Sequence, residues 1–391
     1  MVVWSTVSHG SEARRKHWLL IVTDIRVDVT DPRVPTRWLR IFGGLEQRFD
    51  VSWALGGAMI KERDEPGQRD ARLVFVPPAR SKWHFLLLFP RYLKTLRSAM
   101  GNADIVLVLA PMLTTLPALL AAKLSRRPSM LFVIAPMSAV TLFRGRFNGW
   151  MGRLFLNLEV LLATETLLLS SRLGEGILSP LGRRVEIQML SSIDEEDLLP
   201  IAGSASDADV ELLCVARLVS FKRIDIAIET VWRLRRDGVE ATLTIVGDGE
   251  DRPRLERLTQ TLGLSGVVEF IGWLDDPKEL REYYRRAFAL LLPSELEGFG
   301  MVTLEAMASG TPVVMTPTGG LDAFEPEVEV LVVPTGSAEL FERAVKRLHS
   351  DHDFYLRLAR AAQAKAQTLT RGAWQETFYE RADRLIRERH S

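Results

Sequence analysis

In the stretch LLPSELEGFGMVTLEAMASGTPVV, from Leu291 to Val314, two glutamates stand around a glycine-flanked turn, Glu297 before it and Glu305 eight positions on. Carboxylates accept hydrogen bonds from hydroxyls. Along a helix, eight residues span about 12 Å, too far for the two acids to share a proton, so they would contact different parts of one elongated ligand. The apolar run AFALLLP ends at Pro293 and suits a buried parallel strand. Gly298 and Gly300 allow a tight turn with close backbone approach, and Met301 to Ser309 has good helix formers with a stop at Gly310. The amides of Phe299, Gly300 and Met301, at the positive end of that helix, favour a diphosphate or the hydroxyls beside one. The chemistry to expect is that of a sugar-nucleotide site.

Four more stretches extend this pattern. VARLVSFKRIDIAIETVWRL places Arg217 and Lys222 around one predicted loop, two cations of the kind that stabilise a leaving diphosphate as its bond breaks. LTIVGDGEDRPRLERL holds Gly247, Asp248 and Gly249 after a strand. VVEFIGWL ends in a turn at Gly272, Trp273 and Leu274, and MTPTGGLDAF holds a Gly-Gly loop. Alone, each has an ordinary explanation: Arg217 and Lys222 as surface cations, Glu305 as a solvated helix residue, and GDG as a plain turn. That last motif lacks the third glycine of a dinucleotide fingerprint, Arg252 standing there instead.

Together and in order, from about residue 211 to 324, these segments resemble the retaining glycosyltransferases, family 4 above all, with their Glu, seven residues, Glu motif. The resemblance implies a nucleoside diphosphate sugar, UDP- or GDP-linked, as donor. It implies Arg217 and Lys222 on the diphosphate, Glu305 on the ribose, Glu297 on the transferred sugar, Gly247 and Gly249 in the donor site, and the main chain of Gly272 to Leu274 against the base. Retention of configuration is likewise an implication of the family. No nucleophilic carboxylate is evident, which favours a front-face route in which the departing phosphate oxygen takes the acceptor proton. No metal or other cofactor is expected: two cations can stabilise the charge, and no Asp-x-Asp motif stands beside a donor strand. A sugar-nucleotide epimerase or hydrolase on the same fold is the alternative enzyme, and a non-catalytic sugar-nucleotide sensor the alternative outside catalysis.

The elements that must position these residues are strands alternating with helical patterns, the mark of an α/β doubly wound sheet. HWLLIVTD, DVSWAL, RLVFVP, DIVLVLA, SMLFVIA and ETLLLSS read as strands of a first domain, and VELLCVA near 210 starts a second. The division expected is a Rossmann-like acceptor domain over 1–195, a linker over 196–209 within the polar stretch DEEDLLPIAGSASDAD, a donor domain over 210–372, and a helix over 373–391. In the resembling family that helix crosses back to the first domain, and two Rossmann-like domains facing across a cleft make the GT-B architecture.

The chain of 391 residues is long enough for two cores. Its 50 basic and 50 acidic residues cancel, so no nucleic-acid partner is expected. Cys214, the single cysteine, lies in an apolar strand, reads as core, and fits a reducing cytosol. The N-terminus has no signal-peptide pattern. Glu159 and Glu165 interrupt the apolar run FLNLEVLLATETLLL, so a soluble or peripheral cytoplasmic protein is expected.

The first half departs from the family. Asp31 and Arg33 are candidate cleft residues, though DPRV reads equally as a turn before a helix. No histidine stands in FVIAPMSAV, where the family often carries a His-Asp pair, and the six histidines show no metal-ligand or triad arrangement. Arg223 follows Lys222 where glycine is usual, no glutamate lies three residues after Gly320, and MLSSID replaces an Asn-Gly turn. SKWHFLLLFPRYLKTLR and LFRGRFNGWMGRLFL mix cations with large apolar residues, Pro90 being expected to open a helix. They suit either a peripheral helix on an anionic membrane or a core-facing helix with a basic outer side. The membrane reading goes with a lipid-linked acceptor at the inner face.

Overall fold

The computed structural model describes residues 16–23, 41–56, 73–76, 82–112, 114–135, 146–175, 177, 184–201, 210–274, 276–297, 300–318 and 320–390. Asp31, Arg33, Arg144, Gly298, Phe299, Gly319, the 136–140 part of FVIAPMSAV and the 202–209 part of the linker lie outside the described residues.

Two parallel sheets organise the chain. The first contains β1 (His17–Thr23), β2 (Phe49–Gly56), β3 (Leu73–Val76), β4 (Ile105–Ala110), β5 (Ser129–Val133), β6 (Glu165–Leu168) and β7 (Arg184–Ile187), in the order β3-β2-β1-β4-β5-β6-β7. The second contains β8 (Val210–Val215), β9 (Ala241–Val246), β10 (Val268–Gly272), β11 (Ala289–Leu292), β12 (Val313–Met315) and β13 (Leu331–Val332), in the order β10-β9-β8-β11-β12-β13. Strand order reverses between β1 and β4 and again between β8 and β11. Central strands are buried along their length, β4, β5 and β11 throughout, because helices cover both faces of such sheets. The short strands β7 and β13 are additional to those read from the sequence. RVEI of β7 is a mostly exposed edge and so lacks a continuous apolar run, while β13 has only two residues.

Helices α1 (Lys82–Ala99), α2 (Thr115–Leu124) and α3 (Arg146–Leu162) accompany the first sheet, with α1 against α2 and α2 against α3. Pro90 corrects an expectation: it lies inside α1 rather than opening it. Proline removes the amide that would reach residue 86, and both Leu86 and Pro90 are exposed, where water can take up the freed carbonyl. The second sheet carries α4 (Ile224–Arg236), α5 (Arg252–Thr261), α6 (Pro277–Arg286), α7 (Met301–Ala308), α8 (Ala338–Ser350) and α9 (His352–Thr368). Cys214 is fully buried, its thiol donating to the Leu291 carbonyl at 3.2 Å, and burial raises its pKa.

The last helix, α10 (Arg371–His390), packs on the first sheet's domain. Gln375 Nε2 donates to Gly43 O at 2.7 Å, Tyr379 OH to Gly44 O at 3.1 Å, and Trp374 meets Phe42 edge-on at 5.8 Å. Arg381 and Arg384 both pair with Glu165, whose side chain is wholly buried. The run containing Glu159 and Glu165 is therefore the end of α3 followed by β6, with both acids inside. The start of the stretch read as linker is structured too. Asp194 and Asp197 close a capping box, Asp194 pairs with Arg371, Asp197 with Arg281, and Leu199 N donates to Ala308 O at 3.0 Å on α7. Of its four acids Asp194 and Asp197 are ion-paired, whereas Glu195 and Glu196 are exposed.

Candidate functional site

The second sheet supplies the site residues from the carboxyl ends of its strands. Arg217 follows β8 and is exposed, forming no ion pair with a described residue. Its loop is pinned to the turn after β9: Ala216 N donates to Val246 O at 3.0 Å, Leu218 N to Asp248 O at 2.9 Å, and Asp251 N to Leu218 O at 3.0 Å. The glycines of that turn make this approach feasible. A Cβ on Gly247 would lie 2.0 Å from Ala216 O, and one on Gly249 would lie 2.3 Å from Leu218 O. Gly247 N also donates to Gly272 O at 2.7 Å, so the turns after β8, β9 and β10 form one interlocked surface. Beyond Gly272, Trp273 is 49% exposed and Leu274 half-buried.

Lys222 closes a short helical turn, Ser220–Lys222, and its ammonium is paired with the Glu297 carboxylate. The two side chains are only 13% and 17% exposed, so this pair is shielded from water. It also joins the loop after β8 to the loop after β11. Arg223, the departure from a usual glycine, has φ 50 and ψ 42, the left-handed conformation that glycine adopts without strain. Its guanidinium donates to Asp225 and, at 2.6 Å, to Glu295, and these carboxylates raise its pKa further above the ordinary arginine range. Glu295 N donates in turn to Phe221 O at 2.8 Å. Arg223 thus ties together the two loops that carry Lys222 and Glu297, a role visible in the sequence only as an anomaly.

Helix α7 starts after Gly300, whose φ of 74 excludes most side chains, and Met301 at its first position is half-buried. A Cβ on Gly300 would sit 3.4 Å from the Glu297 Cγ, so the turn folds the first glutamate against the helix start. Glu305 lies one helical turn further in, on a half-buried position. Tyr284 OH donates to its Oε2 at 2.8 Å and Ser192 Oγ to its Oε1 at 3.2 Å. Neither hydroxyl was expected from sequence; the only hint was the serine pair replacing an Asn-Gly turn. Lys222, Glu297, Arg223 and Glu295 meet in one cluster, whereas Glu305 belongs to a second one with Tyr284 and Ser192.

The two domains also touch at the loop after β12. Ser171 N donates to Asp322 Oδ2 at 2.8 Å, and the Arg172 guanidinium donates to the Pro317 carbonyl. A cavity of about 170 Å³ between Gln188, Ser191, Thr370 and Trp374 is lined by none of the motif residues and lies where α10 leaves the second domain. Among the described residues no group of three or more His, Cys, Asp and Glu side chains is arranged to hold a metal ion.

Residues 201–365 match the family described as Glycosyl transferases group 1, so this part of the chain is a domain of that type. The chain is 33% identical over 187 residues to the lipopolysaccharide core biosynthesis glycosyltransferase LpsE of Rhizobium meliloti, a match that covers 46% of this chain and 53% of that one. The chain thus aligns with about half the length of that relative. A crystal structure of Anabaena HepE in complex with UDP and glucose superposes with a TM-score of 0.70 at 16% identity, covering 94% of this chain and 99% of the other. Sucrose-phosphate synthase from Thermosynechococcus elongatus gives 0.73 at 16% identity, covering 95% and 100%. At that identity the likeness establishes the fold, which is GT-B: two Rossmann-like α/β domains, each on a parallel sheet.

Proposed function

We propose that this chain, whose second half is a glycosyl transferases group 1 domain, moves a sugar from a UDP- or GDP-sugar to a hydroxyl acceptor, with retention of configuration and without a metal. What carries this is the placement of Arg217 and Lys222 after β8 and of Glu297 after β11, the neighbouring strands at which the order of the second sheet reverses. Open parallel sheets bind ligands at such points, beyond the carboxyl ends of their strands. The HepE structure, of the same fold and in complex with UDP and glucose, supports a sugar nucleotide as the class of donor.

In this reading Arg217 and Lys222 hold the diphosphate, and Glu305 meets the ribose. The amides of Phe299 to Met301 serve the sugar and phosphate, and the main chain of Gly272, Trp273 and Leu274 lies against the base. Gly247 and Gly249 keep the Arg217 loop in place. Glu297 binds hydroxyls of the transferred sugar once Lys222 has turned to the diphosphate. The bond from the sugar carbon to the diphosphate oxygen breaks and a bond from the acceptor oxygen to the same face forms. The departing phosphate oxygen takes the acceptor proton. Fixed cations beside that oxygen stabilise charge that grows only as the bond breaks, which lowers the barrier rather than merely tightening binding.

The first domain would hold the acceptor, read as a lipid-linked saccharide or glycolipid precursor at the inner membrane face. Three adjacent helices support this. Leu154, Leu158 and Leu161 form an exposed apolar stripe on α3, Leu124 is exposed at the end of α2, and Leu86 and Leu87 are exposed on α1. Arg91, Lys94, Arg97, Lys123 and Arg153 are exposed on the same helices. Among the described residues no helix is long and apolar enough to span a membrane, so contact would be peripheral.

The test is incubation of the purified chain with UDP- and GDP-sugars, with and without lipid-linked saccharides, reading nucleoside diphosphate release and the anomeric configuration of the product by NMR. Acceptor-dependent release with the donor's configuration kept is expected. Release without acceptor, or an epimerised nucleotide, would favour the hydrolase or epimerase reading, and no binding of any donor would sink the proposal.

A further inference from the structure

We propose that Ser192, on the segment joining the two domains, is a positioning residue for Glu305, so that this segment takes part in recognising the donor's ribose. The inference rests on the donor-site reading above and adds to it a residue from outside the donor domain's motifs. Ser192 Oγ donates to Glu305 Oε1 at 3.2 Å while Tyr284 OH donates to Oε2 at 2.8 Å, one hydroxyl on each oxygen. Both donors are 2% exposed, whereas Glu305 is only half-buried. Each carboxylate oxygen carries two lone-pair sites, so a bond from a protein hydroxyl is compatible with a further bond from a ligand hydroxyl on the same oxygen. The arrangement holds a flexible side chain in one rotamer.

The segment carrying Ser192 is itself anchored. Arg371 N donates to Ile193 O at 2.7 Å, and Arg371 Nε pairs with Asp194 at 2.9 Å. One turn of α7 beyond Glu305, Ala308 O accepts from Leu199 N and from Gln363 Nε2, both at 3.0 Å. The joining segment therefore runs along α7 from Glu305 to Ala308.

Calorimetry with UDP and GDP and with their 2′,3′-dideoxy analogues tests the idea, using the full chain and its Ser192→Ala and Tyr284→Phe variants, each checked for folding by circular dichroism. The parent should prefer the ribose form by about tenfold or more, the usual worth of hydrogen bonds to a charged group. Each variant should lower that preference at least about threefold, by losing affinity for the ribose form while keeping it for the dideoxy form. Parallel losses for both ligands, or no loss, would show that Ser192 only packs the segment, and the proposal falls. A parent that binds both forms equally would remove Glu305 from the ribose, overturning this inference while leaving a diphosphate site standing. A parent that binds no nucleoside diphosphate would overturn the donor-site reading and this inference with it.

Discussion

Lys222 and Glu297 satisfy each other's charge in a shielded setting, so in the proposed donor site a diphosphate arriving at Lys222 would compete with a carboxylate of the same sign. This gives the two glutamates opposite signatures. Glu297→Gln removes the competitor and should bind free nucleoside diphosphate at least as tightly as the parent, yet lose sugar transfer. Glu305→Gln should weaken diphosphate binding about tenfold, since the proposed ribose contact would precede any transfer. Calorimetry beside a turnover assay separates them, and equal losses of diphosphate affinity would refute the division of labour. Lys222→Ala should lower the catalytic constant at least about tenfold, about 1.4 kcal/mol of transition-state stabilisation. Turnover near the parent's would remove Lys222 from the clamp.

At the scale of single elements, α3 and α10 each carry ionisable side chains whose surroundings are set by packing. Glu159 is 2% exposed on α3, its Oε2 has no hydrogen-bond partner among the described residues, and burial pushes its pKa up to about 8. The folded chain therefore holds a proton on this group that the unfolded chain loses above about pH 4.5. Its contribution to stability is full at low pH and is lost progressively as pH rises from about 4.5 to about 8. Glu159→Gln removes that titration. Relative to the variant, the parent should lose on the order of 1 to 4 kcal/mol between pH 4.5 and 8 in urea unfolding, and parallel pH profiles would show that Glu159 is not held neutral. On α10, Arg381 and Arg384 enclose Glu165, whose side chain is wholly buried. Replacing both by alanine strands a buried charge and should cost about 3–5 kcal/mol. Adding Glu165→Gln to the double variant should recover part of that loss, because the stranded charge is gone. Failure of any recovery would mean the arginines act through α10 packing alone.

For the whole molecule, the row α1, α2, α3 presents exposed leucines and exposed cations from one domain. Each basic residue near an anionic surface contributes on the order of 1 kcal/mol. Changing Arg91, Lys94 and Arg97 together to Gln should therefore release much of the chain from anionic vesicles in a sedimentation assay. Added salt should do the same to the parent by screening. Leu154→Ser with Leu158→Ser should weaken binding without changing its salt dependence. A parent that never sediments with anionic vesicles at low salt would leave a basic, half-buried helix face and favour a soluble acceptor.

What the amino-acid sequence alone determined is the local part of this picture: six strands of the first sheet, the start of the second, the turns after them, and the helix from Met301. Apolar runs bounded by glycine and proline are written within a few residues, and turn chemistry is local as well. The family resemblance rests on the same short-range signals. Tertiary structure decided who partners whom. Lys222 meets Glu297 across 75 positions, Ser192 meets Glu305 across 113, and Arg381 meets Glu165 across 216. Such pairs depend on how distant elements pack, and no periodicity encodes them. For that reason Glu159 and Glu165 looked like breaks in an apolar run and are buried instead, and Arg223 looked like a departure while its backbone keeps the left-handed turn. The start of the stretch read as a polar linker holds Asp194 and Asp197 against Arg371 and Arg281.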